Sequence, residues 1–528
     1  MKARRNIWTS ALLLVGILLL VNLMGREYFF RIDLTASNKY TLSKTTTNLL
    51  DSLKRPITIT TYTSKNIPTP LRKVEQRFKE LLHEYRARAE GMVDLQFKEV
   101  ASDNKKKIRE LAKKGIKSRL TKVRKKGKQV KQRVFMGATV KLGGGGERMD
   151  LTEEIPFIGP KKSLEYELTT SLRKVTELAK PDLALLQGHG EASLPKSDRQ
   201  SLRQMLRGKG KKKQGPELAK GVEKEWKVLH NVQKVKMTDT TSLHQYETVA
   251  IVSPQDSFPR SHLRILDRYL RKGGKLLLAL NRVDGRLRRG YGRPVKTGLG
   301  PWLAEKGINV KRSFLLDQES MQMRAMRGKI SIPYYPKIKN FSSGHPITKG
   351  LELAWFKFAS PISVTPKDSA VQYQVLARSS ENASTEGAPT RFKVMKQRSS
   401  SSYDRSGLPI AVAAKGPIGG KKDAKLVVIG DGDFPLEGNA GKSPDNVNLM
   451  ANSMDWLAGK EGIASLRSQG IESRPIKADL SKGEKSFLRH LNFLSPFLII
   501  MIIGALRWYF QAQRRLEWKA INYVQTTQ

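Results

Sequence analysis

The sequence predicts an α/β body held between two membrane-spanning helices. Short apolar segments typical of buried strands alternate with amphipathic segments typical of helices, which indicates a mostly parallel sheet. Apolar segments long enough to cross a bilayer lie near both ends, at residues 7–25, which carry no charge, and at residues 493–510, where Arg507 is the one charged residue. Glycines and ionisable residues directly follow two of the buried strands, at residues 188–191 and 431–433. Because α/β proteins bind ligands at strand ends, any chemistry is expected there.

The composition limits the classes of protein that the chain can represent. Its 528 residues correspond to about three domains of roughly 150 residues each. The absence of cysteine excludes disulfides, thiolate metal sites, iron–sulfur clusters and cysteine nucleophiles. The net charge of +49 indicates attraction to polyanions or, alternatively, only a solvated basic surface.

The first apolar segment, residues 7–25, is about long enough to cross a ~30 Å hydrocarbon core as a helix. A cleaved signal peptide would carry a small-residue cleavage pattern after this segment, but Asn22, Leu23 and Met24 occupy that place. We therefore predict a retained transmembrane helix, with residues 1–6 in the cytoplasm.

The second apolar segment, residues 493–510, ends with Trp508 and Tyr509, which are typical of the membrane interface. Basic residues in the tail that follows place residues 511–528 in the cytoplasm by the positive-inside rule. The long middle of the chain is then extracytoplasmic, at the inner membrane of a bacterium. The alternative for either segment is a core helix of a soluble protein.

Residues 26–178 are predicted to form the first extracytoplasmic unit. Residues 57–64 alternate like a strand, and apolar residues recur at helical spacing in residues 71–89. Another strand is predicted at residues 92–100, a charged helical stretch follows it, and two strands flank residues 143–146 as a hairpin. This order resembles a thioredoxin-like fold, which cannot perform dithiol chemistry without cysteine.

A strongly basic block lies within this unit. Residues 104–133 contain 15 Lys or Arg and one acidic residue, Glu110. The block is interpreted either as a solvated or mobile face or as a surface that binds anionic envelope polymer or lipid. Nucleic acid is not expected as a partner, because the block lacks the interleaved aromatics of a stacking platform. The candidate residues for an anionic surface are Lys105, Lys106, Lys107, Arg124, Lys125 and Lys126.

Residues 179–480 are predicted to form a second extracytoplasmic unit with a mostly parallel sheet. Buried strands are predicted at residues 182–187, 246–254, 275–280 and 424–430, with helices between them. Residues 380–406, rich in serine, are predicted to be a mobile surface excursion.

The strand ends of this second unit supply its candidate site. Since parallel strands align their carboxyl ends, the residues after two strands are expected to face a common crevice. They are the candidates for ligand or partner binding: Gly188, His189, Gly190, Glu191, Asp431 and Asp433.

Several segments together resemble the GldG family, in that family's order and over nearly the whole chain. They are "RIDLTASNKYTLSKTTTNLLDSL", "LEYELTTSLRKVTE" leading into "GHGE", "YLRKGGKLLLAL", "GHPITKGL", "FASPI", "VVIGDGDFP" and "NLMANSMDWLAG". The resemblance implies an auxiliary subunit of an ABC transporter, in a family first associated with gliding motility. It implies a domain similar to class I glutamine amidotransferases, held beside a permease whose ATPase is a separate chain.

The residues themselves argue against catalysis. An amidotransferase needs a thiolate, which this chain lacks, and Ser193 near His189 is not in the Gly-x-Ser-x-Gly context that exposes a nucleophile. The segment "LEGNAGKS" has Leu436 where a phosphate-binding loop needs its first glycine.

A divalent metal is a further possibility for the strand-end crevice. One imidazole and three carboxylates could bind a metal ion, but they equally suit hydrogen bonding and helix capping, so we predict no metal and no cofactor. The prediction is a non-enzymatic transporter subunit. The alternatives are an independent binder of anionic polymer and an envelope hydrolase.

Overall fold

The computed structural model describes residues 13, 16, 41–101, 105–125, 128–143, 151–160, 163–176, 180–196, 215–325, 328–392, 398–439, 443–468 and 481–525. The chain divides into two compact units, Met1–Ile471 and Glu472–Gln528. The predicted first span at residues 7–25 lies outside the described residues, apart from Leu13 and Gly16.

The helices of the described residues lie on both sides of the main sheets and at the C-terminus. They are α1 Lys44–Asp51, α2 Thr69–Arg88, α3 Lys105–Lys113, α4 Leu164–Thr176, α5 Lys220–Leu229, α6 Arg260–Arg271, α7 Leu299–Ala304, α8 Pro444–Leu457, α9 Glu461–Ser468 and α10 Lys482–Gln525.

The first sheet confirms the strands predicted in the N-terminal part. Its strands are β1 Ile57–Ser64, β2 Val93–Val100, β3 Ser118–Lys125, β4 Lys128–Leu142 and β5 Thr152–Ile155. β1 and β2 are parallel and joined by α2, whereas β4 runs antiparallel to β1, β3 and β5. Ile57 and Ile59 point into a core with Leu82 of α2 and Leu168 of α4.

The prediction of a helical stretch through the basic block is wrong beyond Lys113. Gly115, with φ of +73°, follows α3, and Ile116 is buried at 1% exposure. The chain then forms β3, which pairs with the first half of β4 as a two-stranded ribbon. The β-branched residues Thr121 and Val123 suit this extended conformation, and local charge did not signal the change.

The second sheet has eight strands in the order β16-β19-β22-β23-β9-β8-β6-β7. Their bounds are β6 Asp182–Gln187, β7 Asn231–Lys236, β8 Thr248–Val252, β9 Lys275–Ala279, β16 Asn340–Phe341, β19 Gln372–Arg378, β22 Pro409–Gly416 and β23 Ala424–Ile429. The five strands from β23 to β7 are parallel to one another, whereas the pairings β23–β22, β22–β19 and β19–β16 are antiparallel. The predicted parallel arrangement is confirmed for five of the eight strands.

Continuous apolar strands make both faces of this sheet hydrophobic. On β6, Leu183 and Leu185 pack in one core with Trp226 of α5. Ala184 and Leu186 pack in the other core, with Leu266 of α6. A sheet covered on both faces exposes polar groups chiefly where its strands begin and where they end, and sites can form at these two edges.

Several sheets of two or three strands accompany the eight-stranded sheet, and together they are called the wall. Their strands are β10 Val283–Arg286, β11 Tyr291–Pro294, β12 Ile308–Val310, β13 Ser313–Asp317, β14 Ser320–Ala325, β15 Gly328–Ile338, β17 Ala354–Trp355, β18 Ile362–Val364, β20 Ala383–Gly387 and β21 Thr390–Arg391. Phe314, Tyr334, Phe358 and Phe392 share one buried aromatic cluster in this wall.

The prediction of a mobile excursion at residues 380–406 is wrong for its first part. β20 pairs with β13, and Ser380 Oγ donates a hydrogen bond of 2.6 Å to Asp317 Oδ1. Serine-rich composition did not reveal this pairing, because it depends on a buried carboxylate 63 residues away in the sequence.

The unit Glu472–Gln528 consists mainly of α10, a helix of 44 residues. At 1.5 Å per residue, such a helix is about 66 Å long. Its segment Gly483–Arg515 is, among the described helices, the one long and apolar enough to cross a membrane. It contains the predicted span at residues 493–510 and is compatible with membrane anchoring.

Candidate functional site

The carboxyl edge of the parallel strands contains a topological switch point. From β6 the chain passes to β7 on one side and then returns to β8 on the other side of β6. Crevices form where the strand order reverses in this way, outside the carboxyl ends of the two diverging strands. The segment with His189 and Glu191 follows β6, and Ser253 follows β8 directly.

The residues after β6 fold into a tight turn around a buried imidazole. Gly188 and Gly190 have φ of +131° and +73°, a region that favours glycine. Both carboxylate oxygens of Glu191 turn back onto His189: Oε2 accepts from the backbone N–H at 2.6 Å, and Oε1 lies 3.0 Å from Nδ1. The carboxylate therefore fixes the orientation of the imidazole.

This imidazole continues into a relay of polar side chains that leads toward solvent. His189 Nε2 lies 2.9 Å from Nδ1 of His262 on α6. His262 Nε2 is 3.4 Å from Asp239, whose side chain is 75% exposed. The ring of Phe258 stacks on His189 with centroids 3.7 Å apart. The relay thus joins a buried carboxylate to an exposed one through two imidazoles.

The residues after β8 connect this relay to the acidic strand end of β23. The backbone N–H groups of Gln255 and Asp256 both donate to the His189 carbonyl at 2.9 Å. Ser253 Oγ donates to Asp433 Oδ1 at 3.3 Å. Ser253 has φ of +51°, a strained conformation for serine that is concentrated at functional sites.

The acidic strand end places two carboxylates close together. Asp431 is buried and accepts from the backbone N–H of Lys357 at 2.5 Å and of Asp433 at 2.6 Å. Asp433 accepts from Asn281 Nδ2 at 2.9 Å and lies 3.4 Å from Lys357 Nζ. A Cβ on Gly432 would come within 2.7 Å of Ser253 Cα, so only glycine lets these strand ends meet.

The ionisation of this cluster is coupled. Burial and the neighbouring charge of Asp433 raise the pKa of Asp431 to about 8. The three backbone N–H groups that donate to Asp431 favour its ionised form, but they do not offset burial. Burial alone would lower the pKa of Lys357, but Asp433, Tyr335 and Asp431 outweigh it and raise that pKa.

The structure thus places the predicted site residues in two clusters along one sheet edge. His189 and Glu191 belong to the relay, Asp431 and Asp433 to the acidic cluster, and Ser253 and its neighbours lie between them. In the part of the chain that the structure describes, no group of three or more His, Asp or Glu side chains is arranged to hold a metal ion.

Among the described residues, the crevice also lacks the nucleophile–base pair of a hydrolase. Ser253 Oγ contacts Asp433 and the side chain of Gln255, whereas the His189 imidazole is engaged by Glu191 and His262. The described contacts therefore do not join the hydroxyl to a base of the Ser–His type. Sequence reasoning missed Ser253 and His262, although a serine directly after a buried strand was a signal for the first.

The anionic-surface candidates lie in α3 and β3. Lys105, Lys106 and Lys107 begin α3, and the last two of these side chains are exposed. Arg124 and Lys125 end β3, and Lys126 lies outside the described residues.

A comparison with known families decides the class of the protein. Residues 180–458, just over half of the chain, match the profile of a family described as an ABC-type uncharacterized transport system. The chain belongs to this ABC transporter auxiliary family. The matched region contains both clusters of the crevice. Residues 36–141 also match a domain of unknown function, DUF7088.

Individual relatives add a full-length match. An uncharacterized protein of Borreliella burgdorferi is 23% identical, over 96% of this chain and 99% of its own length. The N-terminal domain of mmIFT52 shares 16% identity over 52% of this chain and 97% of that domain, with a TM-score of 0.33. Alpha-L-fucosidase isoenzyme 2 from Paenibacillus thiaminolyticus shares 13% identity over 56% of this chain and 36% of that enzyme, with a TM-score of 0.30. Scores this low carry no argument about fold or activity.

Proposed function

We propose that this ABC transporter auxiliary protein is a non-enzymatic, membrane-anchored subunit that binds a ligand or partner protein through the strand-end crevice. The family match over residues 180–458 carries the proposal, because that region contains the whole crevice. The partners proposed are a permease and a separate ATPase of a bacterial transporter, as in the GldG family.

The construction of the crevice supports binding rather than turnover. Its imidazole, hydroxyl and carboxylates already have hydrogen-bond partners, and its backbone is held in strained conformations at Ser253 and Phe358, with φ of +51° and +57°. Strain of this kind persists only where surrounding contacts impose it, and it pre-organises a recognition surface. A pre-organised surface binds its partner with a smaller entropy cost.

The topology proposed for the membrane follows from α10 and the basic tail. Segment 493–510 of α10 spans the inner membrane, residues 7–25 provide a second span, and the body between them is extracytoplasmic. We also propose the finer fold assignments. The strand order β7-β6-β8-β9-β23 supports the amidotransferase-like domain, residues 179–480, because it follows the doubly wound pattern. The β1-α2-β2 crossover followed by the β4–β5 pair supports the thioredoxin-like unit, residues 26–178.

Co-purification from the native membrane tests the proposal. The tagged full-length chain, solubilised in detergent, is expected to recover a permease and an ATPase. Glu191→Gln removes the charge that orients His189, so we expect it to lower their recovery several-fold. Glu319→Gln is the matched control, because Glu319 is about half exposed and pairs with Lys339 away from the crevice. Recovery of neither subunit with the wild-type chain would contradict the transporter assignment.

Hydrolysis assays complete the test. If the purified chain hydrolyses an amide or ester substrate, and this activity disappears in both Ser253→Ala and His189→Ala, the crevice is catalytic and the non-enzymatic assignment is wrong.

Binding of an anionic envelope polymer is the second candidate function. The exposed ribbon of β3 and β4 favours it, because Leu120 and Val130, 63% and 45% exposed, lie among its basic side chains.

A further inference from the structure

The opposite edge of the eight-stranded sheet, where β6 and β7 begin, contains a second cavity. Its volume is about 540 Å³, which is within the range of small-molecule sites. It lies beyond the amino ends of β6 and β7, so it is separate from the strand-end crevice. The lining residues are Leu151, Lys174, Lys180, Lys227, His230, Asn231 and Val232.

Three ammonium groups give the cavity a positive wall. Lys174 pairs with Glu153, and Lys227 pairs with Glu223 at 2.6 Å. Lys180 donates to the Lys227 carbonyl at 2.9 Å and forms no ion pair with any described carboxylate. Burial and the nearby charge of Lys174 lower the pKa of Lys180, which means that its charge is poorly compensated.

A buried imidazole that lines the cavity has an unused hydrogen-bond acceptor. His230 is 2% exposed, and its Nδ1 lies 3.3 Å from the Trp226 carbonyl, which can only accept. Nδ1 therefore carries the proton, and Nε2 presents a lone pair. Nε2 has no hydrogen-bond partner among the described residues. Burial lowers the pKa of His230 to about 4, so the ring is neutral at pH 7.

We propose that this cavity binds a small oxyanion that also carries a hydroxyl group, such as hydrogen phosphate. The oxyanion compensates the ammonium groups of Lys180, Lys174 and Lys227. Its hydroxyl donates to His230 Nε2 and satisfies an acceptor whose burial without a partner is unfavourable. Nothing in this inference requires the strand-end crevice to bind a ligand.

The unused acceptor predicts a choice between two similar anions. Hydrogen phosphate carries a hydroxyl proton at neutral pH, whereas sulfate carries none. Sulfate would place a second acceptor against His230 Nε2 and leave both lone pairs unsatisfied. Loss of one such hydrogen bond corresponds to about tenfold or more in affinity.

Calorimetric titration of the full-length chain in detergent tests the proposal. Sodium phosphate and sodium sulfate are compared at pH 7, with ionic strength held constant by sodium chloride so that the general attraction to a net charge of +49 is equal. We expect phosphate to bind about tenfold more tightly than sulfate or better. His230→Phe should bring this ratio close to one, while Lys180→Met should weaken both anions about tenfold.

A control and a second arm define the outcomes. Lys421→Met, an exposed lysine in the turn between β22 and β23, should change neither affinity. Equal affinity for phosphate and sulfate in the wild type, or phosphate binding unchanged in Lys180→Met, would overturn the proposal. Loss of phosphate binding in nanodiscs that contain phosphatidic acid would identify a lipid headgroup as the occupant, and retained binding would identify a soluble anion. If His230→Phe fails to fold, as judged by circular dichroism, the Lys180→Met result alone decides.

Discussion

Two charge clusters in this protein have the same formal charges but differ in burial and in the length of their ion pairs. One joins Arg467 to Asp455 and Glu225, and the other joins Lys357 to Asp431 and Asp433. Each therefore contains one cation and two carboxylates. The Arg467 cluster lies among helices α4, α5, α8 and α9, whereas the Lys357 cluster lies at the ends of strands.

Geometry separates the two clusters. Arg467 is almost fully buried and donates to Asp455 at 2.8 Å, to Asn452 at 2.5 Å and to the hydroxyl of Tyr166. Lys357 reaches Asp433 only at 3.4 Å and keeps 32% of its side chain exposed. Positive-φ residues adjoin the second cluster, at Ser253 and Phe358. Burial of charge therefore does not set the Lys357 cluster apart, whereas partial exposure and backbone strain at a sheet edge do.

The largest effect is expected at Arg467. Arg467→Met should lower the free energy of unfolding by about 3 to 5 kcal/mol, because it leaves Asp455 and Glu225 buried without their cation. Since the chain lacks cysteine, an introduced Ala451→Cys on α8 allows opening to be measured as the rate of thiol labelling. Labelling should accelerate strongly in the Arg467→Met background. A change of less than about 1 kcal/mol in the free energy of unfolding would show that this cluster contributes little to stability.

The second prediction concerns Asp431 and pH. Asp431→Asn should cost about 1 to 3 kcal/mol near pH 5, because an amide group would face the N–H of Lys357. The folded pKa of about 8 exceeds the ordinary value of 3.8, so the folded state binds more protons between these values. The stability that the folded state gains by binding this proton is complete below about pH 4 and is lost as pH rises toward 8.

Asp431→Asn lacks this titration, so its deficit relative to wild type should shrink as pH rises. Denaturant unfolding at several pH values measures the difference between the two proteins. A deficit that grows with pH would contradict the raised pKa of Asp431.

The sequence predicted the positions of these strand ends but not the partners of their side chains. The apolar strand and the glycines after it predicted the turn at His189, because both depend on local backbone preference. Lys357 and Arg467 were not foreseen, since each reaches its carboxylates only after distant segments pack together. Likewise, β3 forms through its pairing with β4, and the run of charges in the basic block gave no local signal for a strand.

An intermediate effect is expected along the histidine relay. Glu191→Gln should cost about 1 to 3 kcal/mol, because its buried oxygens accept from both the backbone and the ring of His189. Asp239→Asn should cost less than about 0.5 kcal/mol, because the Asp239 side chain is 75% exposed at the outer end. Denaturant unfolding measures both. Equal costs would indicate that the two ends of the relay, buried and exposed, contribute equally to the free energy of unfolding.

The smallest effect on stability is expected in the basic block. Neutralising Lys105, Lys106, Lys107, Arg124, Lys125 and Lys126 to Gln should change the free energy of unfolding by less than about 1 kcal/mol, because solvated charges contribute little to the core. The same six substitutions should weaken binding to vesicles with anionic lipid and flatten its dependence on salt, since fewer counterions are released. Co-sedimentation of the full-length chain, held in nanodiscs of uncharged lipid without detergent, with such vesicles at low and high salt measures this binding. Replacing six basic residues outside the block, Lys272, Lys349, Lys367, Lys415, Lys421 and Lys422, controls for total charge. Equal losses in both variants would show that the protein attracts anions only through its overall charge, and that the ribbon of β3 and β4 is a solvated surface.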